Sequence, residues 1–196
     1  WKSTTCKIIA HLLKKNKFNV ALGGNIGAPV LNFKIKKNTF FVIEASSFQL
    51  SHSKFIHPDY AILLNITNDH LDWHGTFQSY FNSKLKIFHL QKKNNFALMN
   101  NNFKKVFRRK KYLGRLVPIS FKNYKKIKFD IQNEYLTLKI NDENMNFVYT
   151  LAKLLKIKKY SFIKSMNSFI GLPHRYEIFL KQKGITFIND SKATSL

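Results

Sequence analysis

A single cysteine, Cys6, stands among 196 residues, so an internal disulfide framework is excluded and the chain fits a reducing compartment, the cytoplasm. Cys6 itself reads as a small helical core residue. No apolar run approaches the length of a membrane span; the longest, such as Tyr60 to Leu64, are strand-sized. Acidic residues are scarce, 10 against 34 basic ones, and the formal net charge is +24. Such a charge ordinarily points to nucleic acid or an anionic surface. Arginine is nearly missing, however, with 4 against 30 lysines, and planar, bidentate recognition of bases and phosphates favours arginine. Lys, Asn, Ile and Phe are all abundant, as a genome biased toward A and T would give. The charge is therefore read as composition and solvated surface. Lys104 to Lys111 and Lys156 to Lys159 remain as basic patches, and neither nucleic acid nor membrane is expected as a partner.

What is present is an α/β pattern. Ile8, Ile9, Leu12 and Leu13 share one helical face directly after Lys2-Ser3-Thr4-Thr5. Phe18 to Leu22 reads as a strand closed by Gly23-Gly24-Asn25-Ile26-Gly27, whose glycines permit a close backbone approach. Phe40 to Ile43, ending at Glu44, and Tyr60 to Leu64, leading into Asn65 to Asp72, are unalternating runs that suit parallel strands buried on both faces. Polar residues after such strands gather at their carboxyl ends, where ligands bind. Thr76 to Leu90 predicts a helix with Phe77, Tyr80, Phe81, Lys84, Leu85 and Phe88 on its inward stripe. Residues 94–140 read as short strands and basic loops. Helices follow near Asn144 and over Ser161 to Phe169. Gly171-Leu172-Pro173 then reads as a hinge, and Tyr176 to Leu180 with Ile185 to Ile188 as a hairpin around Lys183-Gly184.

The chemistry clusters at these junctions. Lys2-Ser3-Thr4-Thr5 before a helix resembles the end of a phosphate-binding loop, where amides and a lysine hold phosphates and the first hydroxyl reaches Mg²⁺. It can equally cap a helix, and Trp1 stands where such loops carry glycine. Glu44 and His70, each after a buried strand, are candidate divalent-metal ligands, with Asp69 and Asp72 competing for the role of His70. Lys84, an ammonium on an inward face, either snorkels to water or faces a site rich in metal or phosphate.

Five segments, in order, resemble the Mur ligase family: Gly23 to Gly27, Glu44-Ala45-Ser46-Ser47-Phe48-Gln49-Leu50, Asn65 to Asp72, Gly171-Leu172-Pro173-His174-Arg175, and Asn189-Asp190-Ser191-Lys192-Ala193-Thr194. The resemblance implies an α/β fold, a mostly parallel sheet flanked by helices. Residues 1–171 would be a central ATP-binding domain, lacking the start of its phosphate loop, and residues 172–196 the start of a carboxy-terminal domain. It implies ATP and Mg²⁺ as cofactors, two metal sites, and an amide ligase that joins D-glutamate to UDP-N-acetylmuramoyl-L-alanine through an acyl phosphate. Sister ligases for other amino acids and folylpolyglutamate-type enzymes share the core. By the same resemblance Lys2, Ser3 and Thr4 would hold phosphates, and Ser3, Glu44 and His70 the metal. Lys84 would be carbamylated to support a second ion. Asn141 and Asn144 would contact the nucleotide, although Ile140 replaces the usual histidine. Arg175 would reach the phosphates and Asp190 the nucleotide. Asn25 and Ser46 would face the UDP-sugar substrate, and Lys192 and Thr194 the incoming amino acid. A monomer, inactive by itself, is the remaining expectation.

Overall fold

The computed structural model describes residues 2–67 and 69–192. Its first half alternates helix and strand: α1 (Lys2–Lys15), β1 (Asn19–Gly24), β2 (Thr39–Glu44), α2 (Ser47–His52), β3 (Tyr60–Leu63), α3 (Leu71–His74), α4 (Phe77–Leu85) and β4 (Phe96–Asn100). There follow α5 (Lys104–Arg109), β5 (Arg115–Ile119), α6 (Phe121–Lys128), α7 (Glu134–Thr137), α8 (Asp142–Leu154), α9 (Lys159–Asn167), β6 (Glu177–Gln182) and β7 (Ile185–Asn189).

Among the described residues the parallel strands form two sheets, β1 beside β2, and β3-β4-β5 with β4 in the middle. One apolar core underlies both. Ile8, Ile9, Leu12 and Leu13 of α1, Phe147, Val148 and Leu151 of α8, and Phe162 and Met166 of α9 pack with Leu98 and Ile119, and Val20, Phe40 and Val42 close against them. The helical spacing of α1 and α8 places these residues on one stripe, and each fully buried Leu, Ile or Phe contributes about 1.5–3 kcal/mol. A second core, on β3-β4, gathers Ala61, Leu63, Phe81, Leu85, Phe88, Ala97, Met99 and Phe107. The α/β class and the parallel strands match the sequence reading.

Three expectations change. Strand β2 is not buried on both faces: Phe41 and Ile43 remain 40 % and 44 % exposed, and Phe41 stacks only on Phe33, with centroids 5.6 Å apart. The helix expected over 76–90 ends at Leu85 and continues as a 3₁₀ turn over Lys86–Phe88, and Phe77 stands at the surface. Residues 94–140 hold three helices besides β4 and β5. The helices α5 and α6 are anchored by very few apolar side chains, Phe107 in one and Tyr124 with Ile127 in the other, so their periodicity is drowned by lysine. The glycines closing β1 make the close backbone approach the sequence led one to expect. A Cβ on Gly23 would lie 2.1 Å from the Ala28 carbonyl oxygen, and one on Gly24, at φ +98°, 2.4 Å from that of Glu44.

Strands β6 and β7 pair antiparallel around Lys183-Gly184. Gly171, at φ +94°, begins the turn toward them, its Cα side facing the ring of Tyr135. No described helix is long and apolar enough to cross a membrane.

Candidate ATP and metal site

The carboxyl ends of β1, β2 and β3 and the start of α1 carry most of the residues marked by the sequence. Helix α1 begins at Lys2 with Lys2 and Ser3 half-buried and Thr4 and Thr5 buried. Its first turn holds no acidic residue, so its free amides and dipole present positive potential to an anion. Trp1 lies outside the described residues.

Glu44 ends β2 and is 3 % exposed. Asn25 reaches it from the turn after β1: the Asn25 amide N–H donates to the Glu44 carbonyl at 2.8 Å, and Asn25 Nδ2 donates to Glu44 Oε1 at 3.3 Å. Glu44 Oε2 is buried and has no hydrogen-bond partner among the described residues. A buried carboxylate oxygen without a donor is unfavourable unless a cation meets it, so this observation fits a metal bound at Glu44. The charge of Glu44 also reaches Cys6, whose thiol is pushed up to about 12, first by burial and then by that carboxylate. Cys6 is thus an inert helical residue, as expected.

After β3 the chain leads to Asp69 and His70. His70 takes a left-handed conformation, φ +54°, and its Nε2 lies 3.3 Å from Asp69 Oδ2, both side chains being open to solvent. Asp69 rather than Asp72 is therefore its neighbour. Lys84, on α4, is 8 % exposed with its ammonium 4.7 Å from the centroid of the Tyr80 ring. Burial, and then the nearby charge of Lys2, lower its pKa from 10.5 to about 8, with Asp69 opposing. Lys84 therefore does not snorkel. Lys2 at the start of α1 and Asp69 in the loop after β3 both act electrostatically on it. Among the described residues no group of three or more His, Cys, Asp or Glu side chains forms a ready metal cage. The donors on hand are Glu44, His70 and the Ser3 hydroxyl, a set that needs ligand oxygens to complete a hard-cation shell.

Asn141 and Asn144 are 3 % and 1 % exposed. Thr5 Oγ1 donates to Asn144 Oδ1 at 3.1 Å, Asn144 Nδ2 to Asn141 Oδ1 at 3.2 Å, and Asn141 Nδ2 to the Tyr135 carbonyl at 2.8 Å. Their amides face one another and the base of α1. Ser46 is the N-cap of α2, with a capping box closed by Gln49: Gln49 N–H donates to Ser46 Oγ at 3.2 Å, and Ser46 N–H to Gln49 Oε1 at 2.9 Å.

The two carboxy-terminal motifs interlock. Tyr176 N–H donates to Asp190 Oδ1 at 3.1 Å, Lys192 N–H to the His174 carbonyl at 3.1 Å, and His174 Nδ1 lies 2.8 Å from Asn189 Nδ2. Burial raises the pKa of the Tyr135 phenol above its ordinary value, with Thr4, Asn141 and Arg175 opposing and Asp190 adding to the rise. This brings Arg175 and Asp190 toward the start of α1, whereas Lys192 is exposed beyond them. Thr194 lies outside the described residues. Sequence reasoning missed Tyr135, Ser47, Phe48 and His74. The latter three sit inside or beside the quoted segments, but a lone aromatic or serine carries no spacing signal.

The Mur ligase middle domain profile matches residues 2–161. A UDP-N-acetylmuramoylalanine--D-glutamate ligase of Leptospira interrogans is 35 % identical over 210 aligned residues, covering 100 % of this chain and 45 % of that protein. The enzyme of the same name from Rickettsia bellii is 34 % identical, covering 99 % of this chain and 48 % of that protein. The chain thus spans about half the length of these curated relatives. Among solved structures, the MurF ligase of Thermotoga maritima in complex with ADP superposes with TM-score 0.69 at 20 % identity, over 96 % of this chain and 50 % of that one. A UDP-N-acetylmuramoyl-L-alanyl-D-glutamate--2,6-diaminopimelate ligase gives 0.65 at 17 % identity, over 92 % and 46 %; both show a shared fold. With a profile that takes in most of its length and relatives at a third identity end to end, the chain belongs to the Mur ligase middle domain family.

Proposed function

We propose that this chain is the ATP-binding core of an amide ligase that adds D-glutamate to UDP-N-acetylmuramoyl-L-alanine in peptidoglycan precursor synthesis. The observation that carries the reading is Glu44, buried at the end of β2 with one oxygen that has no partner among the described residues, and close enough to α1 for its charge to act on Cys6. The names of the relatives supply the substrates. Residues 1–171 form the ATP-binding unit and residues 172–196 the beginning of a second unit.

The reaction proceeds by attack of the alanine carboxylate on the γ-phosphate of ATP, breaking the bond to ADP and giving an acyl phosphate. The D-glutamate amine then adds to the acyl carbon, loses a proton, and phosphate leaves as the amide forms. Positioning and neutralisation of charge dominate such phosphoryl transfer. Lys2, the amides of Ser3 and Thr4, and Arg175 neutralise the moving phosphoryl group. Ser3, Glu44 and His70 hold Mg²⁺, which supplies Lewis-acid charge to the phosphate oxygens. Lys84 as a carbamate supports a second ion; its lowered pKa favours the neutral amine that CO₂ requires. Asn141 and Asn144 contact the nucleotide, and Asp190 meets it from the hairpin. Asn25 and the α2 start at Ser46 face the sugar substrate, and Lys192 and Thr194 the amino acid.

The test replaces the matching segment of the Leptospira interrogans ligase with this chain and follows phosphate release from ATP. Release that requires both UDP-N-acetylmuramoyl-L-alanine and D-glutamate is expected. A folded chimera that releases no phosphate with both substrates present contradicts the proposal.

A further inference from the structure

His70 is held by very little backbone. Helix α3 is a single turn, bounded by His70 at φ +54° and Gly75 at φ +73°. One turn of helix is not stable on its own. A left-handed non-glycine residue is strained, and such a conformation persists only where the surroundings over-determine it. The surroundings here are side chains.

Phe48, the second residue of α2, is the hub. Its ring centroid lies 4.9 Å from that of His70, 4.8 Å from Trp73 in an edge contact, and 5.5 Å from His74 in a stack inclined by 24°. On its other side His74 meets Tyr80 edge-on at 5.2 Å. Its Nε2 lies 3.0 Å from the hydroxyl of Ser47, itself 2 % exposed. Tyr80 in turn contacts His70, with centroids 6.3 Å apart, and Lys84. The imidazole of His74 is thus clasped between α2 and α4 and tied to a buried hydroxyl, while the ring of Phe48 closes on His70.

We propose that Phe48 and His74, anchored by Ser47, are positioning residues that latch α3 to α2 and thereby fix the His70 imidazole in the direction the site requires. The latch itself stands on the packing. Its consequence for metal rests on the reading of His70 as a metal ligand. Outer groups that orient a metal ligand typically govern about 10–100-fold of metal affinity, and ring contacts of this kind stabilise beyond the area they bury.

The experiment uses the 196-residue chain with Ser47→Ala, Phe48→Leu and Phe48→Tyr. Ring resonances of His70 are recorded by long-range ¹H–¹⁵N NMR, and Mn²⁺ binding with ADP present by electron paramagnetic resonance; thermal unfolding confirms that each variant folds. Ser47→Ala and Phe48→Leu are expected to shift and broaden the His70 resonances and to weaken Mn²⁺ binding by 10–100-fold, with Phe48→Tyr restoring both. His70 resonances unchanged in folded Ser47→Ala and Phe48→Leu overturn the latch. If the resonances shift while Mn²⁺ affinity holds, the latch is supported and the assignment of His70 as a ligand is what fails.

Discussion

Lys84 is an amine held where water cannot stabilise its charge. With its pKa lowered from 10.5 to about 8, roughly half of its molecules are neutral at that pH, against about one in three hundred for an unshifted lysine. Only the neutral amine adds CO₂, releasing a proton and leaving a carbamate. Carbamate yield should therefore climb as pH rises through about 8 rather than above 10. The check is ¹³C NMR of the chain equilibrated with ¹³C-bicarbonate across that range. A carbamate signal absent from Lys84→Arg is the expected outcome, and an identical signal in both proteins sinks the assignment. The oddity of Lys84 was legible in the sequence because a charged residue interrupts an apolar stripe. Glu44 was legible for a related reason, as the polar stop of an apolar run. The capping box from Ser46 to Gln49 and the pairing of Asn141 with Asn144 each span three residues and were passed over, whereas the bond that ties Asn144 to α1 was not legible, since that partner lies far away in sequence. The Thr5 to Asn144 bond joins residues 139 apart.

At the scale of elements, helix α8 is the centre of the larger core. Met145, Phe147 and Val148 are fully buried on it, and they pack beneath both parallel sheets. Truncating Phe147 to Ala should cost about 3–5 kcal/mol by the combined loss of transfer energy and the cavity left behind. By contrast, Phe179→Ala on β6, where the ring is 62 % exposed, should lie within about 0.5 kcal/mol of the parent. Urea unfolding of the two variants distinguishes them, and equal losses would contradict the placement of the core. Elements with several apolar residues at regular spacing, such as α1, α8 and the strand runs, were readable because pattern and burial agree. The helices α5 and α6 were not, because two or fewer anchors in a lysine-rich segment leave no period to detect. The exposed outer face of β2 escaped notice for another reason. An unalternating apolar run says that a strand is apolar on both sides, not that both sides are covered.

The molecule as a whole carries a formal net charge of +24, yet several of its few acids are matched to lysines: Asp130 with Lys159 at 2.8 Å, Glu134 with Lys181 at 2.7 Å and Asp142 with Lys128 at 2.6 Å. Glu44 is the buried exception, 3 % exposed and with no cation in bonding reach among the described residues. At the end of β2, that half-partnered carboxylate is the feature the ligase reading explains most economically. A basic fold selected for nucleic acid would have no use for it. The central claim is therefore that Glu44 completes a metal site when nucleotide is bound. The most direct measurement is a Mn²⁺ titration of the chain with and without ADP, followed by electron paramagnetic resonance and repeated with Glu44→Gln. The account predicts saturable binding that depends on ADP, is lost in Glu44→Gln, and leaves the folded state of that variant at least as stable as the parent, because a neutral amide replaces a buried charge. Mn²⁺ binding in the presence of ADP that is unchanged by Glu44→Gln, or no ADP-dependent binding by the folded parent, would contradict it.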